Sequence, residues 1–211
     1  MKLLLKRKGR YYTKALVPGS VYEEPVITIS GNEYREWSPK RSKLGAGLRK
    51  GVRNPVKDSS FVLYLGAASG TTVSHVSDLT PKGRVYAVEF APEPMKHLVL
   101  LAKKRANIIP LFANANKPGD YPVKVEPVSV VFQDIAQKNQ VQIFRKNCKA
   151  YLKKDGTGLI TVKARSIDST KKPSIVFKAA EKELRKDFKI LKQTRLEPYE
   201  KDHKIYVLKL K

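Results

Sequence analysis

The sequence predicts an α/β protein: a mainly parallel sheet of seven strands that ends in an antiparallel terminal hairpin, preceded by a small antiparallel β unit. Three observations predict it. From Phe61 onwards, short apolar runs of strand length alternate with amphipathic stretches of helix length, the pattern of a parallel sheet covered on both faces. The last two strand-like stretches, 189–196 and 204–210, stand only about seven residues apart, too few for a parallel crossover, so they pair as a hairpin. Before Phe61, β-rich segments are separated by glycine-containing turns.

Residues 1–57 are expected to form a small basic β-rich domain. Its strands are read at 11–17 and 26–29, on either side of the Pro18-Gly19-Ser20 turn, and at 33–37 after the Ser30-Gly31-Asn32 turn. A short helix fits 42–50, and Gly51 and Pro55 mark the boundary. Residues 58–211 are expected to form the second domain, with strands at 61–65, 85–89, 108–112, 128–133 and 159–162 before the hairpin. Its helices fit 72–79, 94–106, 137–152 and 172–187. A reversed last strand separates this sheet from the dinucleotide-binding Rossmann arrangement.

Charge narrows the class of partner. The chain carries 43 Lys and Arg against 19 Asp and Glu, a formal +24, so polyanions are expected to bind it with affinity that falls as salt rises. Residues 1–57 hold 14 basic and 4 acidic side chains, and are the more densely basic part. The longest apolar runs, such as 128–132, fall far short of the roughly 20 residues that span a bilayer, and no terminal segment joins a wide apolar face to a basic one. The start MKLLLKRKGR has no extended apolar stretch of a secretory signal, and a cytoplasmic location is expected. Cys148, the single cysteine, excludes an intramolecular disulfide and reads as a small buried apolar residue. His75, His97 and His203 are not spaced as metal ligands, and no metal site is expected.

One segment carries a ligand signal. FVLYLGAASGTT runs from a buried strand into a glycine-rich turn and a helix, at the carboxyl edge of the sheet, where ligands of parallel sheets bind. Its glycines at 66 and 70 match neither G-x-G-x-x-G nor G-x-x-x-x-G-K-[ST]. Glu89 ends the next strand 19 residues beyond Gly70, where a carboxylate can accept both ribose hydroxyls of an adenosine. Together they point to an adenosine-containing cofactor and leave NAD and S-adenosylmethionine both open.

Seven segments in order resemble archaeal fibrillarins: EYREW at 33–37, RSKL at 41–44, VLYLGAASGTTVSHVSD at 62–78, YAVEF at 86–90, DIAQ at 134–137, VKARSIDST at 162–170 and EPYEKDH at 197–203. The resemblance covers nearly everything beyond the first 25 residues or so. It implies a Rossmann-like class I methyltransferase sheet, S-adenosyl-L-methionine as cofactor, and guide-directed 2′-O-methylation of rRNA and tRNA in a box C/D ribonucleoprotein. The partners it implies are guide RNA, a Nop-domain scaffold protein and a kink-turn-binding ribosomal-protein homologue.

The resemblance also implies a site. Gly66, Ala68, Gly70, Thr71 and Thr72 would surround the methionine part of the cofactor, Glu89 its ribose and Phe90 its adenine, with Asn114, Ala115, Asp134 and Gln137 completing the pocket. The family usually has Asp where this chain has Asn114, which removes a charge and keeps a carbonyl acceptor. Lys43, Asp134, Lys163 and His203 would form the catalytic set, with Lys163 steering and polarising the ribose hydroxyl and Asp134 holding that lysine. Those types fit the chemistry, since a ribose hydroxyl needs its proton drawn away while a methyl sulfonium is already a strong electrophile. Arg41, Lys43, Arg165, Lys171 and Lys172 are the expected RNA contacts. Few aromatics interleave with them, which points to backbone recognition with target choice left to the guide. Asp168 is read as a cap of the following helix, with Ser169 and Thr170 as competing caps.

Overall fold

The computed structural model describes residues 2–211, and two sheets organise it. The first is antiparallel, built from β1 (Leu4–Arg7), β2 (Arg10–Lys14), β3 (Val26–Ile29) and β4 (Asn32–Glu36) in the order β1-β2-β4-β3. The sequence reading missed β1. Arg7 pairs with Arg10 across the two-residue turn Lys8-Gly9, both with positive φ (46° and 75°), the primed turn whose twist suits a hairpin. Lysine in that turn is a far weaker signal than asparagine. The Ser30-Gly31 turn between β3 and β4 has the same form, with φ of 48° and 73°.

Helix α1 (Lys43–Arg49) links the sheets, and Ser42 caps it by accepting from Gly45 N at 3.1 Å. The Ser42 hydroxyl also accepts from Trp37 Nε1 at 2.9 Å and lies in hydrogen-bond contact with Thr72 Oγ1 at 3.0 Å, which ties the start of α1 to the end of β4 and to the segment after β5.

The second sheet contains β5 (Phe61–Leu65), β6 (Arg84–Glu89), β7 (Ile108–Phe112), β8 (Val128–Gln133), β9 (Leu152–Lys163), β10 (Phe188–Arg195) and β11 (His203–Leu210). Its order is β10-β11-β9-β8-β5-β6-β7. The five strands β5 to β9 are mutually parallel, and β11 inserts antiparallel between β9 and β10. The predicted hairpin and reversed strand are both present. Strand β9 begins at Leu152, seven residues before the expected start, because Leu152 pairs with Val128 ahead of a register shift at Lys153–Gly156, a stretch that reads as a turn.

Helices α2 (Thr71–Leu79) and α3 (Pro92–Lys104) pack on the same face as α1, with Val73, Val76, Leu98 and Trp37 in one core. Helices α4 (Gln140–Tyr151) and α6 (Pro173–Leu184) cover the other face through Ile143, Phe144, Phe177 and Leu184. A single turn, α5 (Ala164–Ile167), follows β9. Cys148 is fully buried, and that burial holds its thiol well above the ordinary range. No helix among the described residues is long and apolar enough to cross a membrane.

Since β5 has β6 on one side and β8 on the other, the chain leaves the sheet in opposite directions from two adjacent strands. A crevice opens at their carboxyl ends, the expected ligand position in such sheets.

Candidate active site

The turn after β5 is shaped by close approach. Gly66 (φ 80°) and Ala67 both donate to Val88 O at 3.0 Å, and a Cβ at position 66 would stand 2.3 Å from the Asp134 carbonyl oxygen, so only glycine fits. Ala68 has φ 49°, left-handed backbone that costs a residue with a side chain roughly 1 kcal/mol. Glu89 holds it there. Its Oε2 accepts from Ala68 N at 2.9 Å, while Oε1 accepts from Phe90 N at 2.9 Å and Ala91 N at 2.8 Å. A carboxylate has about four acceptor positions. Oε1 of Glu89 thus takes two of these bonds and Oε2 one, with Oε2 the more open towards a ligand. Its hold on the loop was not legible in the sequence.

Phe90 is 59% exposed beside this loop, an aromatic face free to take a flat ring. Ala115 is buried and Asn114 exposed. Asn114 Oδ1 accepts from Asn116 N at 2.9 Å and retains a second lone pair, which leaves the expected acceptor in place. Gln137 Oε1 accepts from Asn116 Nδ2 at 3.1 Å, tying the ends of β7 and β8 together. Thr71 is half-buried at the start of α2, whereas the Thr72 hydroxyl is spent on Ser42. The free acceptors, the exposed ring and the close-packed glycine turn fit an adenosyl group without phosphates.

The four expected catalytic side chains gather at the same sheet edge. Lys43 opens α1, Asp134 follows β8, and Lys163 ends β9 directly opposite His203 at the start of β11, a cross-strand pair on one face. One expected contact is corrected. Asp134 Oδ2 pairs with Lys43 Nζ at 3.2 Å and its Oδ1 accepts from Thr161 Oγ1 at 3.2 Å, so Asp134 holds Lys43 and not Lys163. The reason is geometric, because β8 delivers Asp134 towards the amino end of α1. The Lys163 amine has no ion pair among the described residues.

What holds Lys163 is its backbone. Gln140, fully buried at the start of α4, accepts from Lys163 N at 2.9 Å through Oε1 and donates to Lys163 O at 3.2 Å through Nε2. His203 Nδ1 lies 2.7 Å from Lys201 O. A carbonyl only accepts, so Nδ1 carries the hydrogen and the neutral ring keeps its lone pair on Nε2. Glu200 completes the group, 3.9 Å from Lys43 Nζ and 4.0 Å from His203 Nδ1. Gln140 and Glu200 were both absent from the expected site. Gln140 lies outside every matching segment, and Glu200 stands inside EPYEKDH with nothing to mark it.

The expected RNA contacts divide. Arg41 is exposed with its guanidinium 5.7 Å over the Tyr22 ring, and Lys172 is exposed, with no ion pair among the described residues. Arg165 is paired with Asp202 at 3.1 Å, and Lys171 with Asp168 at 2.9 Å. Asp168 stands five residues before Pro173 and does not cap α6, since Lys172 occupies the cap position. It closes the preceding turn by accepting from the Thr170 hydroxyl and from Thr170 N and Lys171 N, and those bonds with Lys171 hold its carboxyl well below the usual carboxylate range.

A second polar cluster, also unread in the sequence, lies below the glycine-rich loop. His75 on α2 is fully buried, stacked on Trp37 at 4.9 Å, with Nδ1 2.8 Å from Thr13 Oγ1 and Nε2 2.7 Å from Tyr22 Oη. Burial, then Arg35 and Arg105, holds it neutral well below the ordinary histidine range. Three residues on, Asp78 bridges the buried Arg35 at 2.7 Å and Arg105 at 2.6 Å.

A seven-stranded sheet with one reversed strand next to its edge, opening its crevice beside a glycine-rich turn, is the architecture of the class I methyltransferases. The chain belongs to the fibrillarin family, described as Fibrillarin, which it matches over residues 3–211. It is 50% identical over 200 residues to the fibrillarin-like rRNA/tRNA 2′-O-methyltransferase of Pyrococcus furiosus, covering 93% of this chain and 88% of that protein. Among solved structures, it superposes on fibrillarin of Aeropyrum pernix with natively bound S-adenosyl-L-methionine at TM-score 0.88 and 42% identity, covering 97% and 92% of the two chains. A fibrillarin/Nop5p complex matches at TM-score 0.92 and 45% identity, covering 100% and 99%.

Proposed function

We propose that this protein is the catalytic subunit of a box C/D ribonucleoprotein and methylates ribose 2′-hydroxyls of rRNA and tRNA under guide-RNA direction. It is an S-adenosylmethionine-dependent RNA 2′-O-methyltransferase. The observation that carries the reading is the convergence of Lys43, Asp134, Lys163 and His203 on the crevice edge that also bears the Glu89-held loop. When bound, S-adenosylmethionine supplies an electrophilic methyl group. Gly66, Ala68, Gly70 and Thr71 would line its methionine end, Glu89 would accept from its ribose, and Phe90, Asn114 and Ala115 would receive the adenine.

The protein's remaining work is on the hydroxyl. Lys163, held by its backbone and free at its amine, steers and polarises the 2′-oxygen. His203 keeps a lone pair on Nε2 that can take the proton, and the Lys43–Asp134 pair sets the charge beside it. Arg41, Arg165, Lys171 and Lys172 contact the RNA backbone, with residues 1–57 as a basic unit beside the methyl-transfer domain at 58–211.

Backbone contacts carry no sequence information, so this reading needs a guide to choose the target. Guide RNA, a Nop-domain scaffold and a kink-turn-binding ribosomal-protein homologue complete the particle, which acts in the cytoplasm. The experiment is methyl transfer to a target RNA by the protein alone and by the particle reconstituted with guide RNA. Transfer at the guide-paired nucleotide by the particle, with little by the protein alone, is expected. Robust sequence-selective transfer without guide RNA would overturn it.

A further inference from the structure

We propose that Glu200, in the loop between β10 and β11, is a positioning residue that holds Lys43 in register beside His203 for methyl transfer, an inference that rests on the function proposed above. Its Oε1 lies 3.9 Å from Lys43 Nζ, and its Oε2 lies 4.0 Å from His203 Nδ1, whose hydrogen goes to Lys201 O. Lys43 is thereby held from two sides, by Asp134 at 3.2 Å on the end of β8 and by Glu200 on the hairpin loop. A lysine stem carries much rotamer freedom, and a second carboxylate on another element narrows where its ammonium can sit.

The loop that carries Glu200 is braced. Leu196 N donates to His203 O at 3.0 Å, Tyr199 N to Leu196 O at 2.9 Å, and Ala164 N to Asp202 O at 3.0 Å, while the Leu196 side chain is fully buried. Asp202 N donates to Glu197 Oε1 at 3.2 Å. Glu200 is therefore presented from a frame tied to both β9 and β11, with its side chain 23% exposed at the crevice.

Charge argues the same way. In a chain of formal +24, a carboxylate beside a crevice that receives RNA repels phosphate and weakens binding. Asp134 and Glu200 nonetheless flank one lysine there. A side chain that costs affinity and stands at the reacting edge on a braced loop serves the chemical step.

The test uses the reconstituted particle with wild type, Glu200→Gln and Glu200→Asp, measuring kcat and KM for target RNA, cofactor Kd by calorimetry, and Tm. Displacement of reacting groups by about 1 Å can cost on the order of a hundredfold, and loss of one of two anchors is expected to lower kcat roughly tenfold or more in Glu200→Gln. Cofactor Kd stays within about twofold, KM for RNA is unchanged or lower because a repelling charge is gone, and Glu200→Asp recovers a large part of the rate. A kcat for Glu200→Gln within about twofold of wild type overturns the proposal, as does a loss found entirely in KM or in cofactor affinity. If Glu200→Gln does not fold, the same split read on Glu200→Ala decides. No transfer by the wild-type particle would instead overturn the function on which the inference rests.

Discussion

Asp78 and Asp134 each stand among basic side chains, and they are completed in opposite ways. Asp78 is fully buried, and its two oxygens accept from Arg35, Thr13, Arg105 and Leu16 N at 2.6–2.9 Å, which fills all of its acceptor positions. Asp134 is 24% exposed and has two looser partners at 3.2 Å, with Glu200 at 3.9 Å from the lysine they share and a free amine on Lys163 nearby. A network that holds a fold together satisfies itself. A site that must receive a substrate leaves donors and acceptors open.

That contrast can be broken most forcefully at Asp78. Removing one member of a buried pair leaves an uncompensated charge, so Asp78→Ala is expected to lose about 3–5 kcal/mol of stability in denaturant unfolding. It strands the buried Arg105, which has no other carboxylate partner among the described residues, and leaves Arg35 with Glu24 alone at 2.5 Å. A loss below about 1 kcal/mol would mean that the network carries little of the fold.

A smaller effect comes from His75. Its folded state stays neutral below the ordinary histidine range, so the unfolded chain binds the proton first. The stability it contributes is present above about pH 6.5 and is lost as pH falls below that value, by at most about 1.4 kcal/mol per pH unit. Comparing wild type with His75→Gln between pH 7 and 5 isolates the term, because every other titrating group is common to both. The variant is expected to show the shallower acid slope; equal slopes would contradict the buried neutral state.

The two regions also differ in what the sequence made legible. Strands β5 to β8 were readable because buried parallel strands are continuous apolar runs, as in FVLYL and VSVVFQ, and the short gap before β11 left only a hairpin. Strand β1 was not, since LLKR has little alternation and is a strand only by pairing with β2. In the crevice, a shared site for Lys163 and His203 was legible through the resemblance, and the pairing of β9 with β11 sets the two opposite each other. The partner of Asp134 was not, because it depends on where α1 arrives from the other sheet. The clamp of Gln140 on Lys163 and the reach of Glu200 were hidden for the same reason: each joins elements distant in sequence, and neither residue type signals its role. The buried cluster around His75 was invisible, since a histidine on a helix announces neither its burial nor its partners.

The most direct measurement of the central claim is Lys163→Ala in the reconstituted particle, with methyl incorporation mapped on a guide-paired target and stability measured alongside. The amine has no ion pair, so stability is expected to stay within about 0.5 kcal/mol of wild type, while methylation falls on the order of a hundredfold or more. Unchanged methylation in a folded Lys163→Ala particle would contradict the mechanism.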